Sequence, residues 1–182
     1  EGFHKKYGGA HAEVEAMDKA GEKARGATAY VTLEPCSHFG KTPPCVDALI
    51  EAGVAKVVAA MRDPNPLVNG KGLAKLKKAG IAVETGLLDE QARELNRGFI
   101  SRITRRRPYV ILKAAVSLDG KMATSAGRSK WITGPAARAE GHRLRAGADA
   151  IMVGINTVVS DDPALTSHGK GKNPLRIILD SH

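Results

Sequence analysis

His11, Glu13, Cys36 and Cys45 are the residues whose types and spacing could do chemistry. His11-Ala12-Glu13 sets an imidazole and a carboxylate two residues apart at the start of an expected helix. Glu34-Pro35-Cys36 closes an apolar run, and Cys45 follows Thr42-Pro43-Pro44. That triplet reads as a helix start, because Thr caps and Pro is tolerated in the first turn. A thiolate is favoured there, since the positive helix end lowers its pKa. One imidazole and two thiolates leave a zinc ion with an open fourth position, as catalytic zinc sites have and structural ones do not. Water in such a position ionises near neutral pH. Glu13 is not needed as a ligand and is spaced to carry a proton. The bland alternative is two unrelated thiols beside a surface histidine. H-x-E, P-C and the helix-start placement together argue against it.

The elements that must position these residues alternate between helix and strand. A helix is expected over residues 11–23, with Val14 and Met17 on one face, and a buried strand over 27–33. A second helix is expected over 42–52, stopped by Gly53, then an apolar strand over 54–60. A short basic helix over 72–78, closed by Gly80, precedes a strand over 81–85 and a helix over 89–103. This rhythm predicts a mostly parallel sheet covered by helices. Thr104-Arg105-Arg106-Arg107-Pro108 breaks the pattern and reads as a linker. Beyond it, strands are expected over 109–116, 148–154 and 175–180, with a helix from Gly134-Pro135 to Arg145. No internal repeat or low-complexity segment interrupts the chain.

The chain has 182 residues, enough for one large domain or two small ones. Its 42% hydrophobic and 26% charged content is ordinary for a soluble protein. No apolar run has the length of a membrane span, and no signal peptide opens the sequence. A soluble cytoplasmic protein is therefore expected, in which two cysteines point to metal binding or free thiols before a disulfide. The net charge of +9 suits an anionic partner, a phosphorylated small molecule or a nucleic acid. Aromatic content of only 4% leaves few platforms for stacking bases and tilts the choice toward small phosphates.

H-x-E followed by P-C-x-x-C is the general pattern of zinc deaminases. Here eight residues, 37–44, separate the cysteines where nucleobase deaminases have two. His11-Ala12-Glu13-Val14, with the run from Glu34-Pro35-Cys36-Ser37-His38 through Gly40-Lys41-Thr42-Pro43-Pro44-Cys45, closely resembles the deaminase domain of the bifunctional riboflavin biosynthesis enzymes. The long loop between the cysteines is that family's mark. The resemblance implies zinc on His11, Cys36 and Cys45 and a proton shuttle at Glu13. It also implies substrate contacts from His4, His38, Lys41, Asp63 and Asn65. Read alone, Lys41 suits a phosphate as a point charge and equally suits solvent. The Asp63-Pro64-Asn65-Pro66 run reads equally well as a plain turn.

The second half holds no dinucleotide fingerprint. Gly70-Lys71-Gly72 lacks a third glycine and follows no strand. Read bottom-up, it is an α/β fragment with a polar loop, residues 117–121, at a strand end. Its runs Lys113-Ala114-Ala115-Val116-Ser117-Leu118-Asp119-Gly120-Lys121, Ser129-Lys130-Trp131 and Asp161-Asp162-Pro163-Ala164-Leu165-Thr166 are similar to the same family's reductase domain. That domain is like dihydrofolate reductase and uses NADPH. The resemblance implies cofactor contacts from Ala115, Trp131, Thr157, Asp161 and Ser181, and substrate contacts from Lys113, Ser129, Arg145, Leu165 and His168. The family carries a phosphate-binding arginine soon after the run that ends at Thr166, where the present sequence has Ser167-His168-Gly169, so that either His168 takes its place or a few loop residues are absent. Trp131 and Leu165 read alone as packing residues, and Arg145 as a charge complementing a helix end.

The expected architecture is α/β: a cytidine-deaminase-like three-layer α/β/α domain over 1–104, a linker over 105–108, and a partial dihydrofolate-reductase-like domain over 109–182. Both domains are expected to be incomplete, at the N-terminal and C-terminal sides respectively. The implied activity is deamination of a diaminopyrimidinone ribosyl phosphate, then NADPH-dependent reduction of the ribosyl group. Expected partners are that phosphorylated pyrimidine and further copies of the chain, with neither nucleic acid nor membrane. Two rivals are weighed against it. A zinc-dependent tRNA or nucleobase deaminase fits the ligands but not the long loop. A structural zinc or nucleic-acid module would need a fourth protein ligand.

Overall fold

The computed structural model describes residues 1–182 and divides into two compact units, Glu1–Val110 and Ile111–His182. In the first, three short strands form one parallel sheet in the order β1 (Thr28–Val31), β2 (Lys56–Ala59), β3 (Ala82–Thr85). Parallel neighbours need a crossover. Helix α2 (Cys45–Glu51) supplies it between β1 and β2, and α3 (Lys71–Lys78) between β2 and β3. The central strand explains its own composition: Val57, Val58 and Ala59 are buried, as a parallel strand covered on both faces requires. Val46 and Leu49 of α2 and Leu76 of α3 close over Ala29 and Val57, and Met17 packs at the margin.

Helix α1 (Ala12–Ala20) precedes this unit's sheet. The single helix expected over 11–23 is broken at Gly21, where φ of 53° turns the chain into a 3₁₀ segment, Gly21–Ala24. The helix expected over 89–103 is likewise two, α4 (Asp89–Leu95) and α5 (Arg97–Arg105). Asn96 stands between them, its side-chain amide donating to Ala92 O at 2.8 Å. A short amide that bonds locally to backbone competes with helix propagation. The stop at Gly53 is as expected: φ is 70°, open to glycine without a Cβ penalty, and its N–H caps Ile50 O at 3.0 Å.

The second unit contains α6 (Pro135–Ala146), β4 (Ala150–Gly154), α7 (Ile155–Asp161) and β5 (Leu175–Leu179). Pro135 occupies the first helical position, where its missing N–H costs nothing. Strands β4 and β5 pair in parallel, Ala150 opposite Leu175 and Gly154 opposite Leu179. The strand expected over 109–116 does not form. A strand is made by its ladder, and this segment pairs with neither β4 nor β5; Leu112 is 93% exposed. Helix α7 is an addition. Its β-branched Ile155, Thr157, Val158 and Val159 weaken the helical signal in the sequence. Mixed α/β architecture with parallel sheets is as the sequence predicts. No helix is long and apolar enough to cross a membrane.

Candidate metal centre

His11 is the N-cap of α1, in extended conformation, so its ring leaves the chain ahead of the helix. Cys45 is the first residue of α2 and is fully buried. Cys36 lies in the loop after β1. The backbone N–H of Cys45 donates to Cys36 Sγ at 3.3 Å, an orphan donor of the helix start turned onto sulfur. His11 Nδ1 lies 3.0 Å from Cys45 Sγ and 3.7 Å from Cys36 Sγ, and the two sulfurs are 3.4 Å apart. Tetrahedral zinc with bonds of about 2.0–2.3 Å holds its donors roughly 3.5 Å from one another. The three donors therefore fit zinc in both chemistry and spacing.

Ionisation of one sulfur opposes ionisation of the other. Cys36 is drawn down to about 5, first by the hydrogen bond with Cys45 and then by the helix-start N–H and the His11 imidazole. Cys45 is pushed up, chiefly because it faces the Cys36 sulfur. A cation at the centre resolves this conflict, since both sulfurs can then ionise. Burial pushes the Glu13 carboxyl above the usual carboxylate range, against the pull of its backbone hydrogen bond. The negative sulfur of Cys36 adds to the rise and the His11 ring opposes it.

Around this centre the predicted contacts separate. The His4 ring stands edge-on to His11, centroids 5.4 Å apart, and its Nδ1 bonds Ala10 O at 2.9 Å. Lys41 is exposed and stands over the Tyr7 ring at 4.2 Å. His38 is exposed on the loop between the cysteines. Asp63 is buried, and its Oδ1 accepts from Asn65 N at 2.7 Å, while Asn65 Oδ1 accepts from Leu67 N at 3.1 Å. Burial raises the Asp63 pKa, partly offset by the Asn65 N–H. Both side-chain oxygens thus accept backbone N–H groups within the turn itself.

Sequence reasoning missed Glu34 as more than a motif letter. It is 3% exposed, and its carboxylate accepts four backbone N–H groups. Oε2 takes Asp63 N at 3.3 Å and Gly70 N at 2.9 Å; Oε1 takes Gly72 N at 3.0 Å and Leu73 N at 3.3 Å. A carboxylate at the start of α3 also meets the positive end of that helix. The only sequence signal was a charged residue ending an apolar strand run.

In the second unit, Thr157 and Ser181 meet at one cleft lined by residues 154–157 and 179–181, at the C-terminal ends of β4 and β5. Open α/β sheets bind ligands at such strand ends. Arg145 donates to Thr166 O at 2.7 Å and lies 3.4 Å from His142, whose ring stacks on His168 at 4.1 Å. Leu165 is buried, as a packing residue would be. Trp131 is exposed beneath Arg138, 4.4 Å from guanidinium to ring, so it is no core residue. Lys113, Ser129 and Asp161 are exposed and Ala115 half-buried, outside the Thr157–Ser181 cleft.

Comparison with known proteins places both units. Residues 1–61 match the cytidine and deoxycytidylate deaminase zinc-binding region, so the first unit carries a deaminase-type zinc centre on His11, Cys36 and Cys45. Residues 108–182 match the RibD C-terminal domain, a reductase domain that implies a nucleotide cofactor. The chain belongs to the RibD family of riboflavin biosynthesis proteins. Riboflavin biosynthesis protein RibD of Aquifex aeolicus is 57% identical over 181 residues, spanning 98% of this chain and 51% of that protein. The Escherichia coli protein is 51% identical over 195 residues, spanning 100% and 53%. The solved structure of Acinetobacter baumannii RibD superposes with a TM-score of 0.90 at 52% identity, covering 100% of this chain and 53% of that one. A diaminohydroxyphosphoribosylaminopyrimidine deaminase/5-amino-6-(5-phosphoribosylamino)uracil reductase from Thermotoga maritima gives 0.89 at 46%, covering 98% and 52%. The chain spans about half the length of the curated relatives it matches.

Proposed function

We propose that the protein to which this chain belongs deaminates 2,5-diamino-6-(5-phosphoribosylamino)pyrimidin-4(3H)-one and then reduces the ribosyl group of the product to ribityl. The observation that carries this reading is the convergence of His11 Nδ1, Cys36 Sγ and Cys45 Sγ beside a half-buried Glu13. Bound there, zinc supplies a nucleophile from water at neutral pH. Glu13 takes the proton that water loses and delivers it to the departing amine. The new C–O bond replaces the C–N bond, and ammonia leaves. The raised pKa of Glu13 suits a group that must both accept and return a proton. Lys41, His4, His38, Asp63 and Asn65 bind the pyrimidine and its phosphate.

In the second step bound NADPH would supply the hydride for the ribosyl C1, whose bond to the ring oxygen opens as that oxygen takes a proton, and the protein's part is to bind and orient. Thr157 and Ser181, with Ala115, Trp131 and Asp161, hold the cofactor. Lys113, Ser129, Arg145, Leu165 and His168 hold the substrate. The deaminase domain spans 1–104, the basic run 105–108 is the linker, and the reductase part spans 109–182, close to the division between the two compact units after Val110. The protein works as a homo-oligomer.

The test uses the full-length protein with the diaminopyrimidinone phosphate, with and without NADPH. Ammonia release without NADPH, followed by NADPH oxidation once it is added, is the expected result. Deamination of tRNA or a free nucleobase, with the pyrimidine phosphate untouched, overturns it.

A further inference from the structure

The most heavily bonded buried side chain in the first unit is a carboxylate with no part in the chemistry above. Glu34 precedes Pro35-Cys36 and binds backbone N–H groups at Asp63, Gly70, Gly72 and Leu73. We infer that Glu34 is a positioning residue that locks the Cys36 ligand loop, the Asp63–Asn65 turn and the start of α3 into one register.

The geometry ties three segments to one group. Glu34 N itself donates to Met61 O at 3.0 Å, joining the end of β1's run to the end of β2's. Its side chain then reaches the turn after β2 and the first turn of α3. Gly72 is pressed against this junction so closely that a Cβ there would collide with Pro35 O. Cys36 is thus held from behind by Glu34 and Pro35, and from in front by the Cys45 N–H. The two carboxylate oxygens offer a lone-pair site to each of the four donors. Gln keeps one acceptor oxygen and turns an N–H₂ group onto the other pair of N–H donors, leaving buried donors facing donors. The loop bearing Cys36 then loses its fixed backing, and a metal ligand on a loosened loop lets go faster. Groups supporting metal ligands typically change metal affinity by about 10–100-fold.

This role rests on zinc binding at His11, Cys36 and Cys45, and its test separates the two claims. The full-length protein is loaded with zinc and mixed with an excess of a chromogenic chelator, and the rate of zinc release is followed by absorbance. Wild type should hold one zinc per deaminase unit; failure to hold any overturns the metal reading, and this role with it. Glu34→Gln should release zinc at least about tenfold faster than wild type. Leu76→Ala, a cavity at a core residue that is neither a zinc ligand nor bonded to Glu34, serves as the control for general destabilisation. It should melt at a lower temperature and release zinc at the wild-type rate. If Glu34→Gln does not fold, Glu34→Asp is read in its place, with faster release again expected. Release at the wild-type rate, or acceleration equal to that of Leu76→Ala, overturns the positioning role.

Discussion

His11 Nδ1 stands 3.0 Å from Cys45 Sγ across 34 residues of sequence, because the N-terminus of α1 and the N-terminus of α2 meet at one point. Two helix starts therefore supply ligands to one centre, and Cys36 completes it from the intervening loop. Removing any of the three leaves a bidentate site. His11→Ala and Cys45→Ser are expected to weaken zinc binding by about 100-fold or more, beyond the range of supporting-group changes. Metal analysis after dialysis checks this. Retention of one zinc per chain by either variant would refute the ligand assignment.

Glu13 is placed to separate metal binding from chemistry. It lies two residues from His11 in the first turn of α1 and belongs to no donor set at the centre. Glu13→Gln keeps the shape and removes the proton shuttle. Zinc content should be unchanged, while deamination falls by about 10²–10⁴-fold, the usual weight of general acid–base catalysis. Turnover within threefold of wild type would remove Glu13 from the mechanism.

The centre was legible because its ligands carry local signals: H-x-E at a helix start, P-C at a strand end, T-P-P-C at the next helix start. The parallel order was legible for a similar reason, since the apolar runs around Val57 and Val83 are punctuated by Gly53 and Gly80. What escaped depends on distant partners. The apolar residues 109–116 look like a strand, but a strand exists only with a ladder, and none pairs there. Glu34 acts on backbone N–H groups 29 to 39 residues away, which every residue but proline offers. No side-chain pattern could mark them. Asn96 divides α4 from α5 through one local hydrogen bond, too weak a signal to read against a helical period.

Gly72 gives an unusual test of packing at α3. Ala in place of Gly inside an exposed helix stabilises by about 1 kcal/mol. Here a Cβ would meet the Pro35 carbonyl, a backbone atom one residue from the Cys36 ligand. Gly72→Ala is therefore expected to lower the melting temperature, by roughly 4–8 °C per kcal/mol for a unit of this size. Thermal unfolding followed by circular dichroism checks the sign. A rise in melting temperature would mean that the Glu34–Pro35 segment yields easily.

The second unit offers a pH dependence with a defined sign. The proposed function gives the substrate Arg145 and His168, and the His142 ring lies 4.1 Å from that of His168, tilted by 38°. Arg145 Nε is buried without a partner, although the same guanidinium bonds Thr166 O. Burial first, then the charges of His168, Arg145, Arg138 and Lys170, hold His142 below the ordinary histidine range. Neutral imidazole is thus favoured in the free protein near pH 7. An anion seated among these groups reverses the repulsion and raises the pKa, so binding takes up a proton. Affinity should then grow as pH falls from 8 to 6, by at most about tenfold per pH unit for one coupled proton. Sulfate is the suitable probe, because its own charge is constant over that window. Titration calorimetry at each pH should show this slope, and His142→Asn should flatten it by removing the titrating imidazole. An affinity independent of pH in the unsubstituted protein would mean that the His142 imidazole does not meet the anion.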